Sequence, residues 1–276
     1  MSFKWGSAEA QSITIDGVSL ECASWGTSPD KAPTIVLLHE GLGCVAMWKD
    51  FPQKLALKTG FGVFAYSRAG YGGSDPVTLP RPIDYMLLEA KNTLPNILDQ
   101  IGFQRGILFG HSDGATIAAC YSASVSDQRI RGLILMAPHF FTEEMGLSAI
   151  VKAKAAYDAG DLKNRLAKYH KNVDIAFRGW NDVWLDPKFK DMNVADCIDH
   201  WRIPVLAIQG QEDQYGTLAQ IDEIEARIYS PLEVAILEQC GHAPHFEQPQ
   251  KTLKVIVDFT ATLERLEHEQ VVTAGV

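Results

Sequence analysis

Apolar and polar positions along this chain change period repeatedly, and each change marks an element. Ser12–Ile15 and Ser19–Ala23 flank Asp16-Gly17, a dipeptide suited to the left-handed backbone of a tight turn, so the pattern predicts an opening β-hairpin. Thr34–Leu38 (TIVLL) and Gly62–Tyr66 (GVFAY) are short unbroken apolar runs, as expected of strands buried on both faces. Between them an amphipathic stretch from about Met47 to Lys58 predicts a helix stopped at Gly60. Tyr85–Ile101 also has helical spacing, but Pro95 within it lacks an amide hydrogen and predicts a kink or break. Arg105–Phe109 and Leu133–Met136 read as strands on either side of a helix over Ser112–Val125. Strand and helix in alternation imply a parallel sheet, because crossover connections lay helices on both of its faces.

The rhythm breaks after Met136. From about His139 to His200 the pattern is helical, rich in aromatics and without a convincing strand. It resumes with a strand at Pro204–Gln209, a helix at Leu218–Ile228, a strand at Leu232–Leu237 and a helix at Lys251–Leu266. The expectation is one α/β domain over residues 1–276, with about eight mostly parallel strands and helices on both faces. Its core would comprise 1–138 and 200–276, and 139–199 would form a helical cap inserted in that core. No internal repeat or low-complexity tract interrupts this reading.

Composition narrows the partners. A formal charge of −9 argues against nucleic acid and against anionic membrane. No uncharged apolar stretch reaches spanning length, and the opening MSFKWGSAEA lacks the apolar run of a secretory signal. Five cysteines, Cys22, Cys44, Cys120, Cys197 and Cys240, are scattered without disulfide or C-x-x-C spacing. A cytoplasmic protein with reduced thiols is expected.

The chemistry is concentrated at Gly110-His111-Ser112-Asp113-Gly114, where a strand is predicted to end and a helix to begin. A turn that sharp exposes the Ser112 hydroxyl and leaves no room for side chains two positions either side, which is what Gly110 and Gly114 supply. A serine hydroxyl needs a base, and the base needs a carboxylate to orient it. Asp213, in GQEDQYG, follows one predicted strand, and His242, in CGHAPHFE, follows the last. Both therefore fall on the carboxyl edge of the sheet, where ligands of open α/β sheets bind. Glu212 is the rival acid and His245 the rival base; position favours Asp213, three residues past Gly210, and His242, directly after Gly241. The HAPH pair has no third ligand at useful spacing, so no metal is expected.

With these motifs in order, the chain resembles the α/β-hydrolase superfamily from the opening hairpin to the last helix. The elbow GHSDG is accompanied by LLHEGLG (Leu37–Gly43), SRAGYGGSD (Ser67–Asp75), the acid loop and the histidine loop. The resemblance implies Ser112 as nucleophile, His242 as general base and then acid, and Asp213 as the group fixing the imidazole tautomer. It also implies an oxyanion hole from the backbone N–H of Asp113 and of Gly41, with Leu42 as the alternative to Gly41. No cofactor is implied. Glu40 stands where relatives commonly have glycine, and its side chain is expected to turn away toward backbone or Arg68; Ser67 stands where they commonly have aspartate.

The expected activity is cleavage of a carboxylic ester, lactone or related acyl bond of a small molecule through an acyl-enzyme. A serine at the elbow argues against haloalkane dehalogenase and epoxide hydrolase chemistry, for which relatives carry aspartate. The same fold also serves C–C bond hydrolases or lyases, cofactor-independent dioxygenases and slow-turnover ligand receptors. His39, His111, Phe140, Trp180 and Trp184 are candidates for the pocket wall, the histidines among them and His139 being either structural or pocket-lining, and the aromatics suggest a substrate with an apolar or aromatic portion.

Overall fold

The computed structural model describes residues 3–274. Eight strands form one sheet: β1 (Gln11–Ile15), β2 (Val18–Trp25), β3 (Thr34–Leu38), β4 (Gly62–Tyr66), β5 (Gly106–His111), β6 (Ile130–Met136), β7 (Val205–Gly210) and β8 (Leu232–Leu237). Their order is β1-β2-β4-β3-β5-β6-β7-β8. Only β2 runs antiparallel to its neighbours, and the pairs from β4 through β8 are all parallel. The carboxyl ends of β3 to β8 consequently share one edge.

Among the described residues ten α-helices accompany the sheet: α1 (Phe51–Thr59), α2 (Tyr85–Leu88), α3 (Leu94–Gln100), α4 (Asp113–Ser124), α5 (Glu144–Asp158), α6 (Asp161–Leu166), α7 (Val173–Trp184), α8 (Ala219–Arg227), α9 (Pro244–Glu247) and α10 (Pro249–Ala274). Side chains alternate across each strand, and the core divides accordingly. Val36, Leu38, Leu108 and Leu135 pack with Leu94, Ile97 and Ile117 on one face. Ile35, Leu37, Ile107 and Phe109 pack with Leu55, Ile256 and Phe259 on the other.

Local chemistry moves two boundaries from their sequence expectations. The stretch at Met47–Lys58 is not one helix. A 3-10 turn over Val45–Trp48 ends at Lys49, which adopts φ 53°, and α1 starts afresh at Phe51 with Pro52 in its first turn, where a missing amide hydrogen costs nothing. The helical stretch Tyr85–Ile101 is interrupted just before Pro95, which falls in the first turn of α3. The preceding residues, Glu89–Thr93, widen into a π-helical turn between α2 and α3, which removes the need for a Pro95 amide and relieves the clash of its ring with the turn behind. The hairpin turn has the predicted backbone, Asp16 at φ 49° and Gly17 at φ 82°.

Between β6 and β7 the chain forms α5, α6, α7 and a 3-10 segment, Ala195–His200; the one extended pairing described there is the bridge Phe141–Asn193. This segment docks on the carboxyl edge of the sheet. The Lys171 amide donates to the Gly72 carbonyl at 2.9 Å. The His170 ring accepts from the Gly72 N–H through Nδ1 at 2.9 Å and, through Nε2, meets the Leu42 carbonyl at 3.0 Å. No described helix is long and apolar enough to cross a membrane.

Candidate active site

Ser112 lies between the last residue of β5 and the first of α4, with φ 55° and ψ −119°. A β-carbon is strained in that region, at about 1–3 kcal/mol, and the surroundings hold it there. The Ser112 amide donates to the Met136 carbonyl at 2.9 Å, and the Ser112 carbonyl accepts from Ala115 at 2.8 Å. The flanking glycines are required by close approach: a Cβ on Gly110 would lie 2.1 Å from the Gly114 carbonyl oxygen, and one on Gly114 would lie 2.0 Å from that of Leu38.

Asp213 and His242 meet, with His242 Nδ1 2.7 Å from Asp213 Oδ2. Asp213 Oδ2 also accepts from Gln209 Nε2 at 3.0 Å, and Oδ1 accepts from the Tyr215 amide at 2.8 Å. Burial pushes this carboxyl up, but the His242 ring and the Tyr215 amide outweigh it and hold it below its ordinary value. The backbone at His242 is fixed from two sides. Glu247 accepts from the amides of Gly241 (2.7 Å) and Ala243 (3.0 Å), while His111 Nε2 lies 2.7 Å from the His242 carbonyl and donates to it. The rival groups are placed elsewhere: Glu212 is exposed, and His245 is buried in α9 against Trp48 and Phe51.

Ser112 and His242 open into one cavity of about 120 Å³, whose wall also includes Glu40, Gly41, Leu42, His139, Ile150, Trp180, Trp184 and Tyr215. Among the described residues no hydrogen bond yet joins the Ser112 hydroxyl to the His242 ring, a contact that commonly tightens only with substrate bound. Trp180 and Trp184 are where the sequence suggested. His39, His111 and Phe140 are not on the wall. His39 is enclosed between the Arg68 amide, which donates to Nε2 at 3.0 Å, and the Glu40 carbonyl, 2.7 Å from Nδ1. His111 lies behind His242, and Phe140 packs on Trp201. The wall positions missed by the sequence reading are Tyr215, Ile150 and Glu40. Of the three histidines expected to be structural or pocket-lining, only His139, which follows β6 at the same sheet edge as the other loop residues, is on the wall. Burial, with the neighbouring His242 ring 5.6 Å away, depresses its pKa to about 3, so His139 is a neutral imidazole.

Of the expected oxyanion residues Gly41 and Leu42 line the cavity, whereas Asp113 is fully buried next to Ser112; the segments carrying Gly41 and Asp113 are tied by one buried guanidinium. Arg68 donates through Nη1 to the His39 carbonyl (2.5 Å) and through Nη2 to the Glu40 carbonyl (3.1 Å), and it lies 3.6 Å from the Asp113 carboxylate. Tyr85 OH donates to the same carboxylate and accepts from Trp184 Nε1 at 3.1 Å. Among the described residues no group accepts from the N–H of Gly41, Leu42 or Asp113. The Glu40 carboxylate does not reach Arg68, as the sequence reading suggested; only its carbonyl does. The carboxylate instead faces His111 Nδ1 at 3.5 Å. Burial raises the Glu40 pKa, but His111 and then His39 overcome that and hold it below the ordinary range. The departure at Ser67 is also resolved. Its hydroxyl donates to Glu21 at 2.6 Å and accepts from the Val45 amide at 2.9 Å, so a carboxylate from β2 reaches this turn.

Comparisons with known proteins agree with this architecture. The alpha/beta hydrolase fold family matches residues 33–179. Mouse monoacylglycerol lipase ABHD6 is 35% identical over 78 residues, 28% of this chain and 23% of that protein. Epoxide hydrolase 3 of Siraitia grosvenorii is 27% identical over 147 residues, 52% of this chain and 43% of the relative. The chain thus spans less than half the length of each of these two relatives. The crystal structure of proline iminopeptidase from Mycobacterium smegmatis superposes with a TM-score of 0.72 at 16% identity, over 94% of this chain and all of that one.

Proposed function

From a chain that belongs to the alpha/beta hydrolase fold family, we propose a serine hydrolase that cleaves a carboxylic ester, lactone or related acyl bond of a small molecule. The observation that carries this is that His242, paired with the buried Asp213 at 2.7 Å, shares one small cavity with a serine held at φ 55°. The arrangement joins groups distant in sequence and has no evident purpose in packing.

In this reading Ser112 Oγ attacks the acyl carbon and passes its proton to His242 Nε2. Asp213 keeps the other ring proton on Nδ1, so Nε2 presents its lone pair, and then stabilises the imidazolium. The tetrahedral oxygen turns toward the unengaged N–H groups of Asp113 and Gly41, each worth about 3 kcal/mol of transition-state stabilisation. The imidazolium returns its proton to the leaving oxygen, and water activated by the same ring then releases the acid. His139 stays neutral beside His242 and adds no competing charge. The segment carrying α5 to α7 acts as a cap whose Trp180, Trp184 and Ile150 favour an apolar or aromatic substrate portion of modest size.

The relatives' names span ester and epoxide substrates, and the elbow side chain separates them chemically. Epoxide opening by a serine would leave an ether on Oγ, with no carbonyl for water to attack, whereas acylation leaves an ester that water can hydrolyse. The test is incubation with a fluorophosphonate followed by intact mass. The wild type is expected to gain one adduct and Ser112→Ala none; an unlabelled wild type overturns the proposal.

A further inference from the structure

Three of the chain's six indoles spend their N–H on a protein acceptor: Trp184 Nε1 donates to Tyr85, Trp201 Nε1 donates to the Ala119 carbonyl and Trp5 Nε1 donates to the Gly26 carbonyl. Trp25 and Trp48 are packed in the core away from the cavity, where Trp48 Nε1 is left without an acceptor. Trp180 differs in its place. It lies one helical turn before Trp184 on α7, is nearly buried, and its wall position faces the cavity that holds Ser112 and His242. Among the described residues, no protein group accepts from its indole N–H.

Its placement is specific. A Cβ added to Gly41 would lie 2.2 Å from Trp180 Nε1 and 2.3 Å from Cδ1. Gly41 has no left-handed φ, so the glycine is required for space: it lets the nitrogen-bearing edge of the indole rest directly on the loop beside Ser112. The ring is held from behind. Phe177 packs edge-on at 6.1 Å and is itself stacked on Tyr157 at 3.7 Å. An indole nitrogen is a donor only, and an unused donor on a residue that lines the same small cavity as Ser112 is suited to an oxygen that becomes negative.

We propose that the Trp180 indole N–H is a third hydrogen-bond donor to the acyl oxygen, delivered by α7 alongside the Gly41 and Asp113 amides. This rests on the reading of Ser112 as the acylated serine. The donor loses no proton and forms no covalent bond; it shortens its hydrogen bond as charge develops on the oxygen. Its consequence is that the hole is complete only while α7 is seated on the Gly41 loop, so cap position sets turnover as well as access.

The test compares wild type with Trp180→Phe, and with a variant carrying benzothienylalanine at position 180, which preserves the bicyclic shape without the N–H. Three quantities are measured: kcat and KM on p-nitrophenyl and alkyl esters of one acid, and Ki for a trifluoromethyl ketone, which forms a tetrahedral oxyanion on serine without a leaving group. A lost donor predicts a kcat lower by about 10²-fold, equal across leaving groups, with a parallel rise in Ki and KM within a few-fold. Unchanged kcat and Ki in the benzothienyl variant overturn the proposal, as does a loss that grows with leaving-group basicity while Ki stays constant. Fluorophosphonate labelling of the wild type is read first. Absence of an adduct there removes the serine-hydrolase reading itself, whereas labelling with wild-type kinetics in both variants removes only the role of Trp180.

Discussion

Replacing Asp213 by asparagine changes one atom, and the surroundings dictate where that atom goes. Asp213 Oδ1 faces the amides of Tyr215 and Gly216, at 2.8 and 3.4 Å. These are backbone donors that cannot turn away, so the asparagine oxygen must occupy that site. The new NH2 group is then forced into the Oδ2 site, 2.7 Å from His242 Nδ1. Two donors cannot share that contact. The ring must present a bare Nδ1 and carry its proton on Nε2, the atom that takes the proton from Ser112 in the proposed mechanism. The shape of the site is retained while the base is in the wrong tautomer, a change that costs about 10⁴ in kcat in a serine hydrolase triad. At about 1.4 kcal/mol per decade this is about 5.5 kcal/mol on the barrier. The assay is kcat for p-nitrophenyl butyrate, with Ser112→Ala as the floor and thermal unfolding as a check that Asp213→Asn is folded. A folded Asp213→Asn enzyme that loses less than about 30-fold would refute the tautomer argument, because a wrong tautomer cannot be that mild.

Three further outcomes follow from the same contacts. Gly114→Ala places a methyl 2.0 Å from the Leu38 carbonyl oxygen, and since backbone on both sides must shift, a loss of about 3 kcal/mol is expected in urea unfolding; unchanged stability would contradict the close approach. Arg68→Met leaves the buried Asp113 carboxylate without its counter-charge and the His39 carbonyl without its donor, and chemical denaturation should show a loss of about 3 kcal/mol or more, together with weaker fluorophosphonate labelling as the two loops lose their tie. Burial holds His39 and His245 well below the ordinary histidine value and His139 at about 3, so below pH 6.5 the unfolded chain binds protons that the folded one refuses. Stability from these rings is complete above that pH and declines as pH falls toward 3, at about 1.4 kcal/mol per pH unit for each ring. Melting temperatures between pH 7 and 5 should therefore fall, and fall less steeply in His139→Gln; a flat profile would contradict neutral burial.

The sequence by itself determined what depends on neighbours along the chain. The period of apolar positions gave β3, β4 and β8 to the residue. The alternation of strand and helix required parallel pairing, and parallel pairing put the loops bearing Ser112, Asp213 and His242 on one edge. Turn chemistry located the elbow, because only glycines fit at 110 and 114 and that need is visible in five consecutive letters. Local rules were less decisive about form than about place: Pro95 implied a kink or break, and the interruption takes the form of a π-turn over Glu89–Thr93, whose Glu89 accepts from Tyr66 OH at 2.7 Å.

Tertiary structure decided which side chains face the cavity. His39, His111 and His139 all sit at strand ends and look alike in sequence, yet one is bonded to Arg68, one supports His242 from behind, and only His139 reaches the wall. The Glu40 carboxylate went to His111 and the Ser67 hydroxyl to Glu21, partners 71 and 46 positions away. Gly41 shows the reason most plainly. Nothing in its own backbone requires a glycine; the requirement comes from an indole 139 residues later, and contact between segments so far apart is fixed by how the helices after β6 pack on the sheet, which no local pattern encodes.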